Sequence, residues 1–210
     1  VSQYLKEETE EAFDCPGSEI EVIPNFIDPD TYHRDEEGCH RESLAPEGEK
    51  LLFHISNFRP VKRMADVIRV FAGVRSELAS RLILIGDGPE REIARRTAEE
   101  LGVDDDVVFL GKLESVSELL SCADLFLLPS EEESFGLVAL EAHACGVPVV
   151  GTAGSGLAEV VEDGVTGSLH PVGDVRAMSR SALEYLTDDE LWDRTSRAAR
   201  DRAVEEFSAR

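Results

Sequence analysis

The sequence predicts an α/β fold, a Rossmann-like doubly wound parallel sheet with helices on both faces. Three observations carry this expectation. Apolar runs of four to six residues recur from Leu51 onward, short enough for strands and apolar enough for strands buried on both sides. Between them lie stretches whose apolar residues repeat at helical spacing. The segments that follow the runs are rich in glycine, small residues and charge, as at the ligand-binding ends of parallel strands.

Taken in order, Val1 to Leu5 reads as the end of a strand entering a Glu-rich helix, Lys6 to Phe13, broken by Cys15-Pro16-Gly17. Ile20 to Ile23 reads as a short strand, and Pro24 to Pro29 as its turn-rich exit. His33 to Lys50 is polar, with Gly38, Pro46 and Gly48, and marks a linker. Leu51 to Ile55 opens the regular alternation. Met64 to Leu78 follows with Val67, Ile68, Val70, Phe71 and Val74 on one helical face. Strand Arg81 to Ile85 ends at Gly86-Asp87-Gly88-Pro89, and helix Glu90 to Leu101 ends at Gly102. Strand Val107 to Leu110, short helix Val116 to Cys122 and strand Leu125 to Leu128 come next. The helix carrying Glu141 stops at Gly146. Strand Val147 to Val150, turn Gly151 to Gly156, helix Leu157 to Glu162, strand Gly167 to Val172 and helix Val175 to Leu186 complete the alternation. A last helix spans Asp188 to Phe207. The implied divisions are 1–30, 31–50, 51–187 and 188–210. Opening at Val1, inside what reads as an element, the chain is expected to be part of a longer protein.

The 44 acidic residues outnumber the 21 Lys and Arg, leaving −23 over 210 residues. Nucleic acid is a disfavoured partner, because it would be repelled. The acids are dispersed, as in Asp104-Asp105-Asp106, which suggests a surface solvated at high salt, a halophilic trait. No stretch resembles a signal peptide or has membrane-spanning length, so a soluble cytoplasmic protein without membrane insertion is expected. Cys15, Cys39, Cys122 and Cys145 show no paired spacing, so no disulfide is expected, and Cys122 and Cys145 read as small buried residues. Cys39-His40 supplies two potential metal ligands, too few for a site. His54 and His143 lie in apolar elements and read as packed residues.

The chemistry concentrates in Pro129 to Pro148. Glu133 and Glu141 stand eight residues apart across the turn Ser134-Phe135-Gly136, where a strand end meets a helix N-terminus. Free N–H groups there suit a phosphate, and carboxylates suit sugar hydroxyls. Spacing alone favours surface acids, although the apolar neighbours of Glu141 point it toward a cleft. Arg59, Lys62 and Arg63 form a positive island at another strand end. Cations at a helix start oppose its dipole, which favours a local anion such as a diphosphate. Gly86-Asp87-Gly88 lacks the third glycine of a dinucleotide fingerprint, so NAD is weakly supported.

These residues together resemble a known family, the retaining GT-B glycosyltransferases of family 4. The carriers are Glu133-Ser134-Phe135-Gly136 running to Glu141, Ala144 to Pro148, Gly86 to Pro89, Val108 to Gly111, and Gly154 to Glu159 followed by Asp163 to Gly167. His54 to Arg63, Pro24 to Asp28 and Glu141 to Gly146 resemble the branch that transfers GlcNAc from UDP-GlcNAc to L-malate, the first step of bacillithiol biosynthesis. Asn57 stands where most members carry Arg, with Arg59 two residues later, and Ala158 replaces a common Pro.

The resemblance implies the C-terminal, donor-binding half of such an enzyme. Glu141 holds the ribose, and Gly111 and Lys112 border the base beside Gly86 and Asn57. Arg59 and Lys62 neutralise the diphosphate. Glu133, with the Ser134, Phe135, Gly136 and Leu137 segment, holds the sugar and distal phosphate. It implies no cofactor and no metal, the N-terminal domain of the same polypeptide as partner, and a possible homodimer. Two alternatives stay open: another family-4 hexosyltransferase with a different sugar or a lipid or polysaccharide acceptor, and a non-catalytic nucleotide-sugar-binding domain.

Overall fold

Each apolar run from Leu51 onward becomes a strand, and the strands pair in a single parallel sheet. The computed structural model describes residues 1–13, 20–35, 39 and 41–208. The Cys15-Pro16-Gly17 breaker, Gly38 and His40 lie outside the described residues.

Helix α1 (Gln3–Phe13) and the short α2 (Arg41–Leu44) precede the sheet. Then come β1 (Lys50–Ser56), a 3-10 turn (Pro60–Lys62), α3 (Met64–Arg75), β2 (Ser80–Gly86), α4 (Arg91–Leu101) and β3 (Val107–Gly111). The second half holds α5 (Ser117–Ser121), β4 (Leu125–Leu128), α6 (Leu137–Ala144), β5 (Val149–Thr152), α7 (Leu157–Val160), β6 (Gly167–His170), α8 (Val175–Thr187) and α9 (Asp189–Phe207). The strand order is β3-β2-β1-β4-β5-β6, with every ladder parallel. After β3 the chain returns to the other side of β1. The β1/β4 boundary is therefore the switch point, where a doubly wound sheet opens a crevice at its strand ends.

Alternation along the strands divides the core. Leu51, Phe53, Ile83, Ile85, Phe126 and Leu128 face one layer, shared with α5, α6, α7 and Ala203 of α9. Leu52, Leu82, Leu84, Leu125 and Leu127 face the other, shared with α3, α4 and α8. Two buried faces explain why these strands read as continuous apolar runs. α9 packs on α6 and α8, and its Phe207 carbonyl accepts from Ile27 N–H at 2.8 Å.

Three expectations are corrected. The first helix begins at Gln3, with no strand before it, because Ser2 Oγ caps it by accepting from Leu5 N–H at 3.0 Å. Ile20 to Ile23 forms no strand: Ile23 is 72% exposed, and no described strand lies alongside to pair with it. Cys39 and Cys122 form a disulfide across 83 residues of sequence, and Cys145 remains a buried free thiol. Helix α2 lies against the end of α5, where Arg41 donates to the Cys122 carbonyl at 2.7 Å and pairs with Asp124 at 2.6 Å.

Candidate functional site

The loop after β1 is shaped before it presents any charge. His54 is fully buried, and Nδ1 lies 2.9 Å from the Leu127 carbonyl while Nε2 lies 2.8 Å from Ser56 Oγ. A carbonyl only accepts, so Nδ1 carries the proton and Nε2 accepts from the Ser56 hydroxyl. Burial drives the His54 pKa down to about 4, consistent with this neutral ring. Ser56 Oγ in turn accepts from Phe58 N–H at 3.2 Å, and Phe58 holds a positive φ of 42°. Gly86 sits against this bend at φ 121°, where a Cβ would overlap the Ser56 carbonyl oxygen. The loops after β1 and β2 are thereby stacked, and Glu90 N–H closes them on the Phe58 carbonyl at 2.9 Å.

Past this bend Asn57 and Arg59 are exposed, and the 3-10 turn brings Lys62 inward. Lys62 Nζ meets Glu133 Oε1 at 2.7 Å, straight across the switch point between β1 and β4. The same oxygen accepts from Ser130 Oγ at 2.7 Å, and Glu131 N–H donates to the Val61 carbonyl at 2.8 Å. Glu133 is buried, whereas Glu131 and Glu132 beside it are exposed, so one member of the acidic triplet is singled out. Arg63 turns away and pairs with Asp66 of α3.

Ser134 to Gly136 lead into α6, whose first N–H groups, including that of Leu137, have no carbonyl one turn earlier within the helix. The loop after β5 supports them from behind. Gly156 N–H donates to the Glu133 carbonyl at 2.8 Å, and a Cβ at Gly156 would overlap the Ser134 carbonyl oxygen. α1 reaches the same place. Ser2 Oγ donates to the Ser134 carbonyl, and the Glu159 carboxylate accepts from Gln3 N–H at 3.0 Å and Tyr4 N–H at 2.7 Å.

Glu141 lies just over a turn into α6, half-buried, and accepts from the Tyr32 hydroxyl at 3.1 Å. Burial raises its pKa above the ordinary carboxylate range, and the Tyr32 bond opposes the shift. Gly111 and Lys112 share the strand-end rim but lie at the end of β3, an edge strand two strands from β1. The structure therefore joins the β1, β2, β4 and β5 loops by direct contact and leaves Gly111 and Lys112 at the margin. Ser130, Glu159, Ser2 and Tyr32 were not singled out individually from sequence. The first two lie inside quoted motifs, but Ser2 and Tyr32 touch partners more than a hundred residues away and carry no local signal.

Fold and site together define a doubly wound α/β domain with a preformed cation–carboxylate pair at its switch point. Residues 35–202 match the family described as glycosyl transferases group 1, and the chain belongs to that family. It is 45% identical over 208 residues to N-acetyl-alpha-D-glucosaminyl L-malate synthase of Bacillus anthracis, covering 99% of this chain and 54% of that protein. It is 35% identical over 169 residues to D-inositol 3-phosphate glycosyltransferase of Mycolicibacterium smegmatis, covering 75% of this chain and 38% of that protein. The crystal structure of Anabaena HepE with UDP and glucose superposes with a TM-score of 0.90 at 25% identity, over 99% of this chain and 58% of that one. The chain thus spans about half the length of the relatives it matches. No helix among the described residues is long and apolar enough to cross a membrane.

Proposed function

We propose that this chain is the donor-binding part of a retaining glycosyltransferase that moves GlcNAc from UDP-GlcNAc to L-malate, in the cytoplasm. The observation that carries the reading is the Lys62–Glu133 pair across the switch point, where a doubly wound sheet receives its ligand. The Bacillus anthracis relative favours this donor and acceptor, and the UDP held by HepE favours a uridine nucleotide. In this reading residues 51–187 bind the nucleotide sugar, 1–30 end an N-terminal acceptor domain, 31–50 link the two and 188–210 return toward it.

Each residue then has a task. Glu141 accepts from the ribose hydroxyls, and Gly111 and Lys112 border the base with Gly86 and Asn57. Arg59 and Lys62 face the diphosphate, where charge accumulates as the bond from the sugar C1 to the phosphate oxygen breaks. Glu133 and the Ser134 to Leu137 segment hold the sugar and distal phosphate. The malate hydroxyl oxygen bonds to C1 on the face the phosphate leaves, the hydroxyl proton passes to the departing phosphate oxygen, and the configuration is retained. The charge is balanced by side chains, with no metal assigned to it.

The test is incubation of the full-length protein with UDP-GlcNAc and L-malate, read by mass spectrometry and anomeric NMR. An α-linked GlcNAc-malate with stoichiometric UDP is expected. UDP release that ignores malate overturns the acceptor. The Mycolicibacterium smegmatis relative gives the second reading, a phosphorylated cyclitol acceptor, which the same assay distinguishes by product mass.

A further inference from the structure

Tyr32 belongs to none of the motifs above, yet its hydroxyl donates to the Glu141 carboxylate at 3.1 Å. It is held for that purpose from three directions. The Asp28 carbonyl accepts from Thr31 N–H at 3.2 Å and Tyr32 N–H at 3.0 Å. The Asp28 carboxylate accepts from Asp30 N–H at 3.0 Å and Thr31 Oγ1 at 2.8 Å, which closes the turn on itself. Arg200 of α9 donates to the carbonyls of Pro29 (3.1 Å), Tyr32 and Ala144, fastening the turn to the end of the helix that carries Glu141. The ring is thus placed before any ligand arrives.

The chemistry of Glu141 explains what such placement does. A glutamate carboxylate turns broadly about its terminal bond, and a diol is recognised best by a carboxylate held in one plane. The bond from Tyr32 to Oε1 selects that plane and itself takes up no lone pair of Oε2. A phenol at ordinary pH offers a proton to an anion and cannot compete as a second negative charge. We propose that Tyr32 is the positioning residue for Glu141, orienting its carboxylate toward the paired hydroxyls of the donor's ribose and so setting the preference for ribo- over 2′-deoxyribonucleotides.

The inference rests on the assignment of Glu141 to the ribose, and the experiment separates the two. The full-length protein is titrated with UDP and with 2′-deoxy-UDP, as wild type, Tyr32→Phe and Glu141→Ala. Wild type is expected to favour UDP by about tenfold or more, the worth of one good hydrogen bond to a charged group. Tyr32→Phe is expected to cut that ratio by about fivefold by weakening UDP, with 2′-deoxy-UDP moved by less than about twofold. Equal weakening of both ligands, or an unchanged ratio while Glu141→Ala abolishes it, overturns the role of Tyr32 and leaves the ribose assignment standing. A ratio indifferent to Glu141→Ala removes the assignment and the inference together. Asp28→Ala, which loosens the turn without touching Glu141, carries the same expectation and decides the matter should Tyr32→Phe not purify folded.

Discussion

At the scale of single residues the site turns on which charges are sheltered. Lys62 and Glu133 retain only 18% and 9% side-chain exposure, so neither is well solvated without the other. Lys62→Ala leaves the Glu133 carboxylate beside the Ser130 hydroxyl without its lysine, and an uncompensated sheltered charge costs about 3 kcal/mol. Urea unfolding is expected to show that loss, and Lys62→Ala/Glu133→Gln is expected to regain most of it, since the stranded charge is gone. A double variant no more stable than the single one would show that the pair is not coupled. UDP binding is expected to fall in both variants, because the cation itself is lost. This residue-level choice was the least legible part of the sequence. Glu131, Glu132 and Glu133 are chemically identical neighbours; the spacing to Glu141 and the resemblance pick out the third, and the turn that buries it sets it apart physically. Arg63 shared the positive island of Lys62 but was given no site role, and its αL backbone turns it toward Asp66.

At the scale of elements most of the fold was legible, because strands buried on both faces and amphipathic helices write different periods into the chain. Met64–Arg75, Arg91–Leu101 and Leu125–Leu128 lie where apolar spacing put them. Propensity failed where tertiary contact decides. Ile20 to Ile23 has strand composition but no pairing neighbour among the described residues, and the disulfide joins two cysteines whose separation carries no framework signal. That bond closes a long loop and so restricts the unfolded chain, which stabilises the folded one by about 2 to 4 kcal/mol. Cys39→Ser, or reduction of the wild type with dithiothreitol, is expected to lower the unfolding free energy by that amount. Cys145→Ser, tested alongside, leaves the sensitivity to reductant intact. Equal unfolding curves with and without reductant would show the two thiols unlinked in solution. The clamp from Arg41 to Cys122 and Asp124 bridges the same two segments, so α2 is expected to stay docked after reduction.

At the scale of the whole molecule, stability against acid depends on two buried imidazoles, one in a strand and one in a helix packed on the sheet. His54 in β1 and His143 in α6 are fully buried, and burial lowers their pKa values to about 4 and about 3 from 6.5. The unfolded chain takes up both protons as pH falls below 6.5, while the folded chain admits neither until the lower values are reached. The unfolded state therefore binds more protons in that window, and stability rises with pH across it. Each proton contributes up to about 1.4 kcal/mol per pH unit, so the pair approaches about 3 kcal/mol per unit near pH 5. Glu141, with its raised pKa, works weakly in the opposite sense and is common to every variant compared. The measurement is urea unfolding at a series of pH values in molar salt, where self-repulsion of the −23 charge is screened. His143→Met keeps an apolar filling of similar size and is expected to halve the pH slope. Slopes that run parallel in wild type and variant would mean that His143 is protonated inside the folded molecule. The helix carrying Glu141 would then hold a positive charge two residues from that carboxylate, on a different face of the helix.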